Sequence, residues 1–539
     1  MYQPQATRRD IQIAAQRAGR IQRAQQPSTH TLPAPVGGLN GRDALDDMKA
    51  EDAVRLDNLF PGFGKVECRR GSALWGTLGA DDGEFVAASA PVETLIGVRL
   101  AASTKLIAGC AGKLFDATAG GELDTPGVSG LTGNRWQHAV MNNVVGLVNG
   151  SDAPRTYNGS AWASMTVQAA EGEPSLTVAS LIGINVYRSR SYFWRANDAG
   201  FWFSATNALG GDLEYFPLGD VHGVGGNLVT MITWTRDGGE AGIDDVAVFL
   251  MSSGQAVVYQ GSDPGEAADW SLLGVFEIAP PLGIRCAVKI GGEALVATID
   301  GVTALSAVLP GGRSARRVNA SDNLGKFWLD QARATGSSFG WQMLHFPGLR
   351  ALLVSYPAGG GQFEQFVANL ATGAWCRFRG LQASCWSLFG DRLFLGGPNG
   401  QVIEANVGTS DRGASVLFEG QQAFWSPSGK ARNIQAQALR PLLEATGSIE
   451  VDLSLYADYS PVPAATVHAT LGAVGGGGTP WNSAKWNTFK WGAPSKVVQG
   501  WIGHAAQGYA ISPAVKGQQR NDLVAWSGTT LMHSPAGIT

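Results

Sequence analysis

Short hydrophobic segments separated by Gly, Asn or Asp turns follow one another from about residue 85 to residue 410. The segments KLIAGCAGKLFDAT (105–118) and GDRLFLGGPNGQVIEA (390–405) each contain a strand, a tight turn and a second strand. Such units recur roughly every 40–55 residues, and radial repetition of four-stranded sheets buries them while leaving only short edges. The pattern predicts a mainly β fold with an irregular β-propeller of six to seven blades over 85–410; a series of β-sandwiches is the alternative.

The pattern changes after residue 410. In SIEVDLSLYADY (448–459), hydrophobic and polar residues alternate from Ile449 to Leu455. Strict alternation is typical of an antiparallel strand with one buried face. We therefore predict a C-terminal β-sandwich over residues 411–539.

The N-terminal residues carry the one helical pattern of the chain. Apolar residues recur at three- and four-residue spacing between Ile11 and Ile21, mostly as alanine. Five arginines occupy much of the remaining surface: Arg8, Arg9, Arg17, Arg20 and Arg23. We predict a basic helical or extended arm over 1–30, followed by the opening segment of the folded body over 31–84. A disordered basic tail is the other interpretation of the same residues.

Composition limits the class of protein. The chain has 40 Lys and Arg against 44 Asp and Glu, so its net charge of −4 argues against a surface that grips nucleic acid tightly. Charged residues make up only 16%, below the usual quarter, which suggests that sister subunits cover part of the surface. The 73 glycines fit many tight turns between short strands.

No arrangement of residues indicates an enzyme, a cofactor or a metal. The five cysteines are far apart without a C-x-x-C pair, so buried reduced thiols are expected. The acidic group Asp237, Glu240, Asp244 and Asp245 lacks the spacing of a calcium loop and is read as a solvated loop. No run of 18 apolar residues and no secretory signal occurs, so we expect no membrane span.

Three regularly spaced tryptophans are the most unusual local feature: Trp481, Trp486 and Trp491. An aromatic row can stack sugars or bases, but large aromatics more often anchor a core or a subunit interface. We therefore take these tryptophans, with the five N-terminal arginines, as candidate interface residues. The Gly-rich loops 236–245 and 357–362 are candidate channel or tip loops.

Several segments resemble one family of phage proteins. The segment LPAPVGGLNGRDALDDMKAEDAVRLDNLFPGFGKVECRRG (32–71) resembles the beginning of the folded body in tail nozzle or hub proteins of short-tailed bacteriophages, the tail tubular protein B type. Three C-terminal segments are similar to that family as well: 438–460, 481–491 and 523–539. The arm is not part of the family's motif.

The resemblance implies a structural virion protein without catalytic residues. It implies a homo-oligomer, a hexameric ring below the head-to-tail adaptor ring, which carries the propeller outward and lines the DNA ejection channel. Tail fibre, spike or needle proteins are the expected partners, and genomic DNA passes without sequence-specific binding. The protein is expected in the virion tail after synthesis in the cytoplasm of the host bacterium.

Two further hypotheses accompany this interpretation. The basic arm could dock on an acidic surface of the adaptor or of a neighbouring subunit, because it carries five Arg and one Asp. The alternative function is a propeller phage protein that binds or cleaves glycans of the host envelope. A cleaving enzyme would need a pair of carboxylates that meet only in the fold.

Overall fold

The computed structural model describes residues 27–80, 85–101, 103–220, 223–237, 243–308, 319–427, 432–472 and 496–537. Within these ranges the regular secondary structure is mainly β-strand, and it includes two short α-helices. No helix in this part of the chain combines the length and the apolar character needed to cross a bilayer. The predicted helical arm lies outside the described residues.

Six strands precede residue 80, and they join sheets that are completed much later in the chain. They are β1 (Ser28–Pro33), β2 (Gly38–Leu39), β3 (Asp52–Asp57), β4 (Leu59–Pro61), β5 (Val66–Cys68) and β6 (Ser72–Leu78).

The first three separate sheets have three, four and five strands; the first two are antiparallel meanders, and in the third β15 is added in parallel to an antiparallel meander of four strands. The first contains β7 (Thr94–Arg99), β8 (Thr104–Cys110) and β9 (Lys113–Asp116), after which β10 (Gly121–Leu123) pairs with β6. The second contains β11 (Gln137–Met141), β12 (Val144–Val148), β13 (Arg155–Tyr157) and β14 (Trp162–Ser164). The third contains β15 (Val167–Ala169), β16 (Leu181–Tyr187), β17 (Arg190–Arg195), β18 (Phe201–Ser204) and β19 (Gly211–Phe216).

Two further separate sheets and the two helices follow. The fourth sheet contains β20 (Leu228–Asp237), β21 (Ile243–Met251), β22 (Gln255–Gln260) and β23 (Ser271–Glu277). The fifth contains β24 (Ala287–Ile290), β25 (Glu293–Thr298) and β26 (Gly301–Ala304). The helices are α1 (Leu305–Val308) and α2 (Lys326–Thr335).

The remaining propeller strands belong to one sheet of 16 strands that is nearly closed. They are β27 (Gln342–Phe346), β28 (Ala351–Gly359), β29 (Gln362–Asn369), β30 (Trp375–Phe378), β31 (Cys385–Phe389), β32 (Arg392–Gly396) and β33 (Gln401–Ala405). The sheet runs from β27 to β31 by way of β3 and β6, and its two ends meet where the Gln342 amide donates to the Trp386 carbonyl at 2.8 Å. The propeller thus has five blades plus this barrel-like sheet, so the predicted fold class is confirmed.

The C-terminal strands form two packed sheets. They are β34 (Ser410–Asp411), β35 (Ala414–Gln422), β36 (Asn433–Ala445), β37 (Ile449–Ala457), β38 (Ala465–Leu471), β39 (Lys496–Val498), β40 (Ile502–Gly508), β41 (Ile511–Gln519) and β42 (Ala525–Gly537). One sheet contains β36, β39, β40 and β42 with β1, β4 and β5, while β35, β37, β38 and β41 continue the 16-stranded sheet. Leu439 and Leu531 from the first sheet share one buried core with Leu453 and Val515 from the second.

One edge strand of each propeller sheet lies close to an edge strand of a neighbouring sheet. The closest approach is between β7 and β31, where the Gly97 amide donates to the Ser387 hydroxyl at 2.7 Å. A Cβ atom on Gly97 would lie 1.8 Å from the carbonyl oxygen of Leu388. The glycine is therefore required by the packing of two blades, since no side chain fits there.

Candidate functional site

The segment that carries the family resemblance lies between the propeller and the sandwich. Strand β3 is inserted between β30 and β35, β6 completes the sheet of β31–β33, and β4 with β5 joins the opposite sheet of the sandwich. We call this contact region, built from residues 32–71 and the strands around them, the joint. Its side chains determine how the two halves of the molecule are held together.

The joint begins where the backbone at Gly38 packs closely against the backbone of Trp375. Gly38 has φ of 84°, and a Cβ atom there would lie 2.6 Å from both the amide nitrogen and the carbonyl oxygen of Trp375. Two residues further on, the Asn40 amide donates at 2.8 Å to the carboxylates of Asp43 and Asp52. Hydrogen bonds from Arg42 and Asn40 lower the pKa of Asp43 to about 2. The motif residues thus fix the turn that leads into β3.

Two buried polar side chains fill the gap where β3 ends. The Asn58 amide donates to the carbonyl oxygens of Leu417 at 2.7 Å and Arg379 at 3.1 Å. Arg69 is 4% exposed; it donates to the Arg379 carbonyl and to the Asp411 carboxylate, each at 3.0 Å. These side chains satisfy backbone groups that a further strand would otherwise pair.

A charged cleft of about 640 Å³ opens above this network. Asp57 lines the cleft, and its carboxylate accepts two hydrogen bonds of 2.8 and 2.9 Å from Arg377 behind it. Burial alone lowers the pKa of Arg377, but hydrogen bonding and the charge of Asp57 outweigh it, so that pKa is raised. At the rim, Arg379 pairs with Glu364 at 2.6 Å. Positive and negative groups therefore alternate along the cleft, which suits a surface that contacts protein better than one that binds a polyanion.

One of the two candidate Gly-rich loops borders the charged cleft. The turn between β28 and β29 contains Gly359, Gly360 and Gly361, all with positive φ, and the next residues, Gln362 and Phe363, line the cleft. The other candidate loop, 236–245, joins β20 to β21, and its residues 238–242 lie outside the described residues.

The axis of the propeller is crossed by an arginine. Arg285, just before β24, donates at 3.1 Å to the carbonyl oxygens of Glu93 and Trp136, which precede β7 and β11. Phe339, which precedes β27, lies under two guanidinium groups, with Arg135 at 4.0 Å and Arg285 at 5.5 Å from the ring centroid. Sheets on opposite sides of the ring are therefore tied together across the axis at this end.

The residues predicted from the sequence to form an interface all lie outside the described residues. They are Arg8, Arg9, Arg17, Arg20, Arg23, Trp481, Trp486 and Trp491. The five cysteines are buried and unpaired, and burial raises the pKa of Cys68, for example, to about 12. Among the described residues, no group of three or more His, Cys, Asp or Glu side chains is placed to hold a metal ion.

The sequence alone does not predict the joint as a functional site. Asn58 and Arg69 belong to one segment, but their partner Asp411 is 342 residues away from Arg69. The segment 32–71 resembles the phage tail family, but no local sequence pattern indicates that its polar residues are buried. Only the pairing of β3 and β6 with later strands brings these groups together.

Comparison with known proteins identifies no relative by sequence. No family model and no curated protein matches the chain. Among solved structures, similar ones include YCF48 bound to D1 peptide, at 11% identity and TM-score 0.35 over 61% of this chain and 97% of that one. BBS1N in complex with ARL6DN has 13% identity and TM-score 0.38 over 63% and 99%. The Cps50 (Swd1) β-propeller domain of Myceliophteria thermophila has 9% identity and TM-score 0.35 over 60% and 99%. Such distant likenesses carry no argument about function.

Proposed function

We propose that this chain is a structural subunit of the tail nozzle or hub of a short-tailed bacteriophage. The observation that supports the proposal is the role of residues 32–71. The segment whose sequence resembles that family supplies Asn58 and Arg69, the buried groups that join propeller to sandwich. A motif of this kind fixes the angle between the propeller and the sandwich. A subunit of a ring-shaped wall requires such a fixed angle.

In the proposed assembly, copies of the chain form a ring below the head-to-tail adaptor, and the ring is hexameric by analogy with the family. Ring closure uses two different surfaces of each subunit in head-to-tail contact. The charged cleft supports the proposal as a surface for protein contacts, because it presents both signs of charge. The basic arm would dock on the adaptor or on a neighbouring subunit.

The path of DNA follows from the same proposal. Because Arg285 and Phe339 cross the axis of the propeller, we propose that DNA passes along an axis shared by several subunits and not through the propeller itself. The net charge of −4 supports a wall that a polyanion passes without tight binding. Fibre, spike or needle proteins would attach at the distal end of the ring, in the virion tail.

Negative-stain microscopy of the purified full-length chain, alone and with the adaptor, tests the proposal. We expect rings of sixfold symmetry and, by mass spectrometry, the chain in purified virions. A matched experiment uses the chain lacking residues 1–26, which we expect to form rings but to bind the adaptor more weakly. A chain that remains monomeric, is absent from virions and binds or cleaves envelope glycans would overturn the proposal in favour of the glycan alternative.

A further inference from the structure

The edge formed by the last strand of the fourth propeller sheet is not covered by the rest of the described chain. In the other propeller sheets, the last strand either pairs with a further segment or is very short. Further segments pair with β9, β19, β26, β30 and β33, and β14 has only three residues. By contrast, β23 has seven residues and pairs only with β22. Its outer edge is therefore a long free edge on a molecule that covers its other edges of this kind.

The free edge presents backbone hydrogen-bonding groups. The Ile278 amide, directly after β23, donates to the Gly254 carbonyl at 2.9 Å, so the backbone groups of Ile278 point toward β22. In an antiparallel strand, the backbone groups of successive residues point alternately to the two sides. Those of Glu277 and Val275 therefore point away from β22. Unpaired N–H and C=O groups in a row are a template for another strand.

Two exposed leucines lie at the start of the same edge. Leu272 is 43% exposed and Leu273 is 41% exposed. The register shifts here, so both leucines lie opposite Tyr259 of β22, whereas Gly274–Glu277 keep regular pairing. The strand contains no lysine or proline, two residues with which soluble proteins protect free edges. A strand that adds to this edge thus gains apolar contact as well as hydrogen bonds.

Acidic side chains lie at both ends of β23. Glu266 and Asp269 belong to the loop before the strand, and Glu277 is its last residue. All three are exposed, and none forms an ion pair within the part of the chain that the structure describes. Antiparallel pairing of β23 with β23 of a second copy would bring Glu277 of each copy near the acidic loop of the other. Because like charges so placed repel, the edge favours a strand with basic residues at its ends.

We propose that the outer edge of β23 binds an extended basic segment of a partner protein, which adds a fifth strand to the fourth sheet. The backbone of the segment pairs with Val275 and Glu277, and its apolar side chains cover Leu272 and Leu273. Lysine or arginine residues at its ends pair with the acidic side chains. Addition of a strand to an exposed sheet edge is a recurring way to recognise extended peptides. The inference concerns this edge alone and does not require the tail function.

A peptide with the same sequence in both directions tests the edge in the full-length chain. Acetyl-Lys-Val-Thr-Val-Thr-Val-Lys-amide should bind, and hydrogen exchange followed by mass spectrometry should show slower exchange of the amides of residues 271–277. The peptide with Glu in place of both Lys residues should bind more weakly by about tenfold or more, because its charges are repelled. A version with proline at its three central positions should not bind, because proline has no N–H to donate.

Variants connect the binding to this edge. Leu273→Lys should weaken binding of the basic peptide about tenfold, because a lysine protects the edge and repels a basic strand. Leu370→Lys, at an exposed leucine outside any strand, is the matched control and should bind normally. Combining Glu266→Gln with Glu277→Gln should reduce the preference for basic over acidic ends to less than about threefold. Glu122→Gln, on the exposed β10, should leave that preference unchanged.

Several results would overturn the proposal. One is unchanged exchange of residues 271–277 with the basic peptide, and another is equal binding of the peptide with acidic ends. Concentration-dependent dimers that Leu273→Lys removes would show that a second copy covers the edge. Slow exchange of these amides in the free chain that becomes fast when residues 1–26 are deleted would show that the arm covers it. All of these measurements can be read whether or not the chain forms rings.

Discussion

At the scale of single residues, a few buried polar groups decide how the chain is held together. Arg69 links backbone groups of the propeller to Asp411 at the start of the sandwich, although 342 residues separate the two partners. Buried charges of this kind stabilise little as an intact pair compared with an apolar replacement, but losing one partner leaves the other without compensation. Their main effect is that one arrangement of the joint has a much lower free energy than any other.

The first prediction concerns Arg69. Arg69→Met should lower the free energy of unfolding by about 3–5 kcal/mol, because it leaves the Asp411 carboxylate without the buried cation that compensates its charge and removes one of the two hydrogen bonds to the Arg379 carbonyl. Urea unfolding followed by tryptophan fluorescence measures the loss. Arg55→Met is the matched control, since the Arg55 side chain is 43% exposed and its pair with Glu419 should be worth less than about 1 kcal/mol. Equal losses in the two variants would contradict the role of burial.

The second prediction concerns pH and the sandwich. His504 is 5% exposed, and burial lowers its pKa, while its bond to the Leu453 carbonyl opposes that shift; its Nδ1 atom has no hydrogen-bond partner among the described residues. Since the folded pKa lies below the unfolded value of about 6.5, His504 contributes stability above that pH and the contribution is lost as pH falls. His504→Gln should therefore reduce the drop in the urea midpoint between pH 7.5 and 5.5. An unaffected drop in His504→Gln would count against this account.

At the scale of elements, the propeller is closed by strands from the opening segment. The sheet of β31–β33 is completed by β6, which precedes it by more than 300 residues, and β10 pairs with β6 on its far side in turn. Pairing between strands that are distant in the sequence leaves few free sheet edges. This limits unwanted strand pairing between different chains. It also ties the start of the propeller to its end.

The third prediction concerns the close approach of β7 and β31. Gly97→Ala should destabilise the chain by about 1–3 kcal/mol, because its Cβ atom would meet the Leu388 carbonyl and push the two strands apart. Gly292→Ala, in the turn between β24 and β25, is the control, since no atom of the described residues lies within 4 Å of the added Cβ. Chemical unfolding of both variants measures the difference. A Gly97→Ala protein as stable as the control would show that the blades do not pack in this way.

At the scale of the whole molecule, propeller and sandwich share a single largest core. That core includes Trp328 and Phe366 from the propeller side together with Leu439 and Leu531 from the sandwich. The joint lies within it, so the two halves are not independent units connected by a linker. A stiff body of this kind suits the proposed tail wall, whose subunits must keep their angle under load.

The fourth prediction follows from this shared core. Urea unfolding should give one transition, with coincident midpoints by far-UV circular dichroism and tryptophan fluorescence, because separating the halves would expose buried apolar surface and buried charge together. In Arg69→Met the two probes should separate as the joint weakens. Two resolved transitions in the unmodified chain would show that the halves unfold independently.

Much of the architecture was predictable because it depends on local patterns. Strand–turn–strand units such as 105–118 and 390–405 indicate hairpins by spacing alone, and the propeller follows from their repetition. The candidate site was not predictable in the same way. Asn58 and Arg69 resemble ordinary loop and surface residues, and no spacing rule places them in a buried gap between β30 and β35.

The sequence by itself determined a chain of short, glycine-terminated strands, because the alternation of apolar and polar residues and the positions of turns are local properties. Only the tertiary structure decided that β3 and β6 enter sheets completed hundreds of residues later, that Arg285 crosses the propeller axis and that Arg69 is buried against Asp411. These features depend on contacts between distant segments, and their energies arise only when burial removes water from groups that the sequence leaves far apart.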